Sequence, residues 1–189
     1  MRKRSTPESV KAKREARGRI TETGPVMEAA AAFVAVRPRS VGETRRRLRH
    51  LGYPDGLVDE VVERFAEMGY LDDESFAQAW IESRDRVRPR GENALRRELA
   101  QKGVARTLVD EVLAGRLDAA EDGNPNVVAA TALVARKRAA LAREPDERKR
   151  RQKAYALLAR NGFDPETCRA VSASVAIGDL DETGEDANR

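Results

Sequence analysis

An all-α fold of three tandem three-helix repeats is what this sequence predicts, on three observations. The block from Arg37-Pro-Arg-Ser to Val62 is written again fifty-one residues later, with Leu48 answering to Leu99, Gly52 to Gly103, and Val58-Asp59-Glu60-Val61 to Val109-Asp110-Glu111-Val112. A looser third copy stands fifty-nine residues further on, where Leu158, Gly162-Phe163 and Val171 take the places of Leu99, Gly103-Val104 and Val112. Apolar residues fall at three- and four-residue spacing throughout, and no alternating β-pattern occurs. Aromatic residues make up only 4% of the chain, so each repeat has a thin core. Units that small seldom bury enough surface to stand alone, so neighbours are expected to share an interface along an elongated rod.

Taken in order, residues 1–24 carry eight Lys or Arg against three Glu and almost no large apolar side chain, which predicts a disordered basic arm. A helix within Glu8 to Arg19 would have nothing to anchor it. The first repeat is placed at 25–70. Pro25 opens a helix to about Val36 with Met27, Ala30, Phe33 and Val34 on one stripe. Pro38 stops it, Ser40 and Glu43 form a capping-box pattern for the second helix, and Gly52 ends that helix in a left-handed C-cap. Pro54-Asp55 opens a third helix bearing Leu57, Val58, Val61, Val62 and Phe65, with Gly69 as its stop.

The second repeat, 71–115, begins with Asp72-Asp73 capping a helix that carries Phe76 and a core Trp80. Arg88-Pro89-Arg90-Gly91 breaks the chain, and helices follow from Asn93 to Gln101 and Thr107 to Ala114. Residues 116–125 read as a linker. The third repeat, 126–177, is expected to hold a helix from Asn126 to Arg143 with Val127, Ala130, Leu133, Val134 and Leu141 inward. A second helix after Pro145-Asp146 carries Ala154, Leu157 and Leu158, and a last one after Asp164-Pro165 carries Cys168, Val171 and Val175. Residues 178–189 read as a disordered acidic tail.

The formal net charge of +4 understates the electrostatics, because acid and base are segregated. Arg37 to Arg49 holds six Arg against Glu43 alone, whereas Asp55 to Glu74 holds eight acids against Arg64 alone. The cations Arg37, Arg39, Arg45, Arg46, Arg49, Arg88, Arg90, Arg96, Arg97, Lys102, Arg148, Arg150, Arg151 and Lys153 recur on corresponding elements. Stacked repeats would gather them on one side, where guanidinium groups suit bidentate contact with carboxylate or phosphate. For any one Arg a solvated helix surface is the plainer reading; recurrence in three copies favours a partner-binding face. The Arg-Pro-Arg turns need no role beyond a proline that ends a helix and arginines that reach water. Tyr53, Tyr70 and Phe163, each following a glycine, are expected to plug the core rather than stack on bases.

A single cysteine, Cys168, excludes an intramolecular disulfide, and with the single His50 it offers no metal-ligand spacing. No phosphate-binding Walker loop and no Gly-x-Ser-x-Gly is present, so neither an enzyme nor a cofactor is expected. No run approaches the length that spans a bilayer, and the composition fits a reducing cytoplasm.

Several of these residues together resemble the RecX regulatory proteins. The resemblance lies in Arg37-Pro-Arg-Ser with Leu48 and Gly52-Tyr53, in Gly69-Tyr-Leu-Asp-Asp73 with Phe76-Ala77, in Arg88-Pro-Arg-Gly91, and in Leu95-Arg-Arg-Glu-Leu99 with Lys102-Gly-Val104. It covers roughly Val26 to Ala176. It implies a curved molecule of three tandem units that binds the RecA recombinase filament and inhibits its ATPase, strand-exchange and co-protease activities. A non-enzymatic, monomeric regulator of recombination, DNA repair and the SOS response is then expected, with single- or double-stranded DNA as a further possible partner. The alternative is a helical DNA-binding protein that uses one unit as a helix-turn-helix.

Overall fold

Helix boundaries fall where capping chemistry puts them. In the computed structural model, which describes residues 6–120 and 123–175, the regular elements are α1 (Pro7–Gly18), α2 (Gly24–Val34), α3 (Val41–Leu51), α4 (Asp55–Glu67), α5 (Asp73–Val87), α6 (Glu92–Lys102), α7 (Arg106–Asp118), α8 (Pro125–Arg136), α9 (Arg138–Ala142), α10 (Glu147–Arg160) and α11 (Pro165–Ser174). The Ser40 hydroxyl accepts the Glu43 N–H at 3.0 Å, Asp146 accepts that of Lys149 at 3.0 Å, and Asp164 that of Thr167 at 2.9 Å. Each such cap satisfies an amide the first helical turn leaves open, an effect of about 1 kcal/mol. The reciprocal half of the predicted capping box does not form, because the Glu43 carboxylate is drawn to Lys102 and Arg37 instead.

The chain divides into two compact units, Met1–Ala77 with Ala100–Ala105, and Gln78–Leu99 with Arg106–Arg189. The division runs through the second repeat, taking its Gly103 turn into the first unit. In the first unit Val26, Ala30, Leu48, Tyr53, Val58, Val61, Val62, Phe65 and Leu71 form one core, contributed by α2, α3, α4 and the segments after α3 and α4. Buried Thr44 donates its hydroxyl to the Ser40 carbonyl at 3.0 Å, so its polarity is satisfied within the helix. In the second unit the third repeat centres on Ala130, Leu133, Val134, Leu141, Ala154, Leu158, Phe163, Cys168 and Val171.

One contact is made three times. Within the first unit the left-handed Gly103 turn (φ 87°) lies against the start of α3, so closely that a Cβ on Gly42 would sit 2.8 Å from the Lys102 carbonyl oxygen. The Ser40 hydroxyl donates to that same carbonyl at 2.6 Å. Within the second unit the corresponding Gly162 turn (φ 86°) lies against the start of α6; a Cβ on Gly162 would stand 2.9 Å from Ala94 Cα, and the Gly91 N–H donates to the Asn161 carbonyl at 3.1 Å. The first of the three turns is at Gly52 (φ 99°). It meets α1, where a Cβ on Gly52 would lie 2.8 Å from the Arg14 carbonyl oxygen. Glycine is required at these turns twice over, for the positive φ and for the closeness of the neighbouring backbone.

Several expectations are corrected. Residues 7–18 of the anticipated disordered arm are helical: Thr6 caps α1, the Arg17 guanidinium donates to the Leu51 carbonyl at 3.4 Å, and it lies 5.5 Å from the centre of the Tyr53 ring. A solvent-facing helix poor in apolar residues is thus anchored by one cation and by backbone contact, neither of which hydrophobic periodicity detects. The helix expected from Asn126 to Arg143 breaks at Lys137, whose N–H turns back to the Val134 carbonyl at 2.9 Å, and Ala129 rather than Val127 is buried. Tyr70 is 60% exposed, with Leu71 taking the core place beside Phe65. Trp80 is half-buried rather than core; its indole N–H donates to Glu98 at 2.9 Å and Arg84 stacks on its ring. The anticipated linker begins inside α7, which runs to Asp118, and the anticipated acidic tail lies outside the described residues.

Candidate partner-binding surface

The cations singled out from sequence separate into those the fold consumes and those it leaves to solvent. On α3, Arg45 Nε lies 2.9 Å from Asp59 of α4, and Arg49 reaches both Asp55 at 2.9 Å and Asp59 at 3.0 Å. On α6, Arg96 Nε lies 2.8 Å from Asp110 of α7 and its terminal nitrogen 3.0 Å from Glu92. Arg46 donates to the Gln101 carbonyl at 2.7 Å, and Lys102 pairs with Glu43 at 2.8 Å, joined by Arg37 at 3.2 Å. These side chains fasten the second helix of a repeat to its third, or to the following turn.

The second arginine of each Arg-Pro-Arg turn is likewise built in rather than waiting in water. Arg39 lies over the Phe33 ring at 4.0 Å and donates to the Phe33 carbonyl. Arg90 donates to the Asn161 side chain and lies 3.5 Å from Glu98, with Pro89 fully buried beside it. In the third repeat Lys153 pairs with Glu144 and Arg150 donates to the Pro145 carbonyl at 3.3 Å. Among the described residues Arg97 donates only to the Asn93 carbonyl of its own helix. Among the described residues the exposed side chains of Arg88, Arg148 and Arg151 engage no partner.

Electrostatics follow this division. Burial pushes the Glu43 carboxyl up, but hydrogen bonds from Lys102 and Arg37 outweigh it and hold the group below the ordinary glutamate range. The hydrogen bond from Arg96 depresses Asp110, and the bonds Arg96 donates to Asp110 and Glu92 raise its own value. Asp73 is shifted up by burial, although it accepts the Val41 N–H at 2.9 Å. Burial likewise raises Asp85, against the pull of Arg116 at 2.9 Å.

Other structural cations escaped the sequence reading. Arg84 pairs with Glu98 at 2.6 Å, and Arg136 of α8 donates to the Arg86 carbonyl at 2.7 Å, closing the end of α5. Tyr155 and Arg169, also passed over, line an open groove with Arg148 and Arg151. The repeat register could have found them, since it sets Tyr155 against Arg96 and Arg169 against Asp110. Among the described residues no group of three or more His, Cys, Asp or Glu could hold a metal ion, and no helix is long and apolar enough to cross a membrane.

Comparison with known proteins bears on what these surfaces serve. Family models for the first, second and third three-helix domains of RecX match residues 27–65, 72–113 and 128–171. The chain is 34% identical over 153 residues to the regulatory protein RecX of Prosthecochloris aestuarii, covering 79% of this chain and 92% of that one. It is 37% identical over 149 residues to the regulatory protein RecX of Streptomyces coelicolor, covering 79% and 74%. The crystal structure of RecX from Lactobacillus salivarius shares the fold, with a TM-score of 0.70 at 16% identity over 82% of this chain and 97% of that one. The all-helical, triplicated chain belongs to the RecX family of regulatory proteins.

Proposed function

We propose that the protein is a non-enzymatic cytoplasmic regulator that binds the RecA nucleoprotein filament as a monomer. Bound there, it inhibits ATP hydrolysis, strand exchange and co-protease action, and so restrains recombination, DNA repair and the SOS response. Membership of the RecX family carries this reading. The distribution of cations supports a division of labour within it. Arg45, Arg49, Arg90, Arg96 and Lys102 hold the repeats together, while Arg88, Arg97, Arg148 and Arg151 remain available to an acidic partner. Exposed ion pairs contribute under about 1 kcal/mol each, so affinity has to come from several such contacts along a repeating polymer and should fall with salt.

The test is a titration of RecA ATPase on single-stranded DNA with the full chain. Strong inhibition well below one chain per recombinase subunit means blockage of filament ends, and proportional inhibition means coating along the length. Unchanged hydrolysis at excess would overturn the reading.

A further inference from the structure

The first two repeats share a register, and at one place in it an acid of the second is a cation in the first. Counting fifty-one residues back, Arg84, Arg90 and Glu98 correspond to Phe33, Arg39 and Arg47. In the second repeat Glu98 is the anion of a closed cluster. Its carboxylate accepts the Arg84 Nε–H at 2.6 Å and the Trp80 indole N–H at 2.9 Å, and it lies 3.5 Å from Arg90. Arg84 stands 4.4 Å from the centre of the Trp80 ring, so a cation covers an aromatic face with a carboxylate beside it. The first repeat keeps the aromatic and the cation and loses the carboxylate. Arg39 lies 4.0 Å over the centre of the Phe33 ring, and Arg47, in the place of Glu98, brings a second guanidinium within 5.9 Å of the same ring.

Two positive charges are thus set on one aromatic side chain with no anion between them. Glu43, the acid of α3, is held elsewhere, by Lys102 at 2.8 Å and Arg37 at 3.2 Å. Arg39 donates its Nε–H to the Phe33 carbonyl at 3.4 Å, and among the described residues neither Arg39 nor the exposed Arg47 pairs with a carboxylate. Burial and the Arg37 charge, joined by Arg47 and opposed by Glu43, hold the Arg39 guanidinium below the ordinary arginine value. Three residues on from Phe33, Val36 is 76% exposed.

The second repeat itself shows what fits such a place: a carboxylate, taken up by guanidinium groups through charge-assisted hydrogen bonds. A protein segment offers that group next to apolar side chains that Val36 can meet. A nucleic-acid strand would bring phosphates to the same cations, but its bases would find the Phe33 ring already covered by Arg39. We propose that Arg39 and Arg47, set over Phe33, form a docking site for an acidic segment of a protein partner, whose carboxylate takes the place that Glu98 fills in the second repeat. The site deepens the regulator reading and rests on it in taking the partner to be a protein. It is tested without recombinase, so a failed peptide assay and a failed ATPase titration are separate results.

The experiment follows a fluorescent peptide of alternating glutamate and leucine by anisotropy, with the full chain at low salt. Arg47→Glu rebuilds the arrangement of the second repeat, because the new carboxylate reaches Arg39 from within the chain and shuts the site. It should weaken peptide binding about tenfold or more while leaving the denaturation midpoint unchanged or higher. Arg47→Gln removes one cation without filling the site; it should cost about two- to fivefold, and it carries the test alone should the reversal fail to fold. Arg64→Glu makes the same change in net charge at an exposed position on α4 and should alter affinity less than about twofold. The peptide with glutamine for glutamate should not bind. Parent-like binding by Arg47→Glu, equal losses from Arg47→Glu and Arg64→Glu, or displacement by oligothymidylate as effective as by unlabelled peptide would each overturn the assignment.

Discussion

Arg45 Nε stands 2.9 Å from Asp59 Oδ1, and fifty-one residues later Arg96 Nε stands 2.8 Å from Asp110 Oδ1. The duplicated sequence has thus duplicated a clamp between the second and third helices, and a guanidinium read from sequence as a docking group serves first to hold the repeat. Both pairs are more than a third exposed, so solvent screens them. A double-mutant cycle with Arg45→Ala and Asp59→Ala should give a coupling of about 0.2–1 kcal/mol by urea denaturation, and one with Arg96→Ala and Asp110→Ala a coupling of the same sign, both shrinking as salt rises. A coupling several times larger would place these pairs in a much drier setting than their exposure shows.

The repeated glycine turns separate two costs. Gly69 has φ 74° with nothing within 4 Å of a would-be Cβ, so Gly69→Ala should cost only the left-handed backbone term, about 1–2 kcal/mol. Gly162 has φ 86° and the Ala94 Cβ 2.5 Å from the new atom, so Gly162→Ala must also displace α6. It should lose roughly 1–3 kcal/mol more than Gly69→Ala, read from denaturant midpoints. Equal losses would mean that the turn and the helix start can part without penalty.

Glu43 makes stability depend on pH with a definite sign. Its folded-state value is depressed, so the folded chain holds this carboxylate ionised where the unfolded chain would protonate it. The contribution is complete above about pH 4.3, the ordinary glutamate value, and is lost as pH falls through the depressed one. Glu43→Gln should therefore be less stable than the parent at neutral pH, with the gap narrowing below about pH 4. Asp73 works the other way: raised by burial, it takes up its proton first in the folded state and offsets part of the acid loss. Parallel acid limbs for parent and Glu43→Gln would contradict the assignment.

Docking of α1 rests on few groups, and each can be removed. Arg17→Ala deletes a cation lying 5.5 Å from the Tyr53 ring and should cost about 0.5–1 kcal/mol. Removing residues 1–20 uncovers the Gly52 turn and should lower the melting temperature more than Arg17→Ala does. Hydrogen exchange at Gly52 and Tyr53, whose N–H groups bond to the Arg49 and Leu48 carbonyls, should quicken in the truncated chain. Unchanged exchange there would show that α1 adds nothing to the turn beneath it.

What the sequence could announce was whatever recurs or obeys a local rule. Ser40, Asp146 and Asp164 cap helices because a side-chain oxygen three residues before an open amide is a matter of spacing alone. Gly52, Gly103 and Gly162 betray their left-handed turns by falling in register. Partnerships were not legible, since Arg45 and Asp59 meet only once α3 and α4 have packed, and a run of arginines reads the same whether bound or free. Tyr70 and Leu71 illustrate a second limit: two adjacent apolar residues after a helix stop differ only in which way the exit turn sends them. The candidate groove was half visible, with Arg148 and Arg151 conspicuous by charge, and Tyr155 and Arg169 hidden by being unlike the residues they replace.

Stacked-repeat proteins face a hazard at their ends, where a surface shaped to receive the next module stays adhesive. Here the Gly52 turn has the same form as the Gly103 and Gly162 turns, each of which accepts a neighbouring helix start, and α1 is laid across it instead. The leading helix therefore occupies, with backbone of the same chain, a turn surface that in the other two copies takes a helix start.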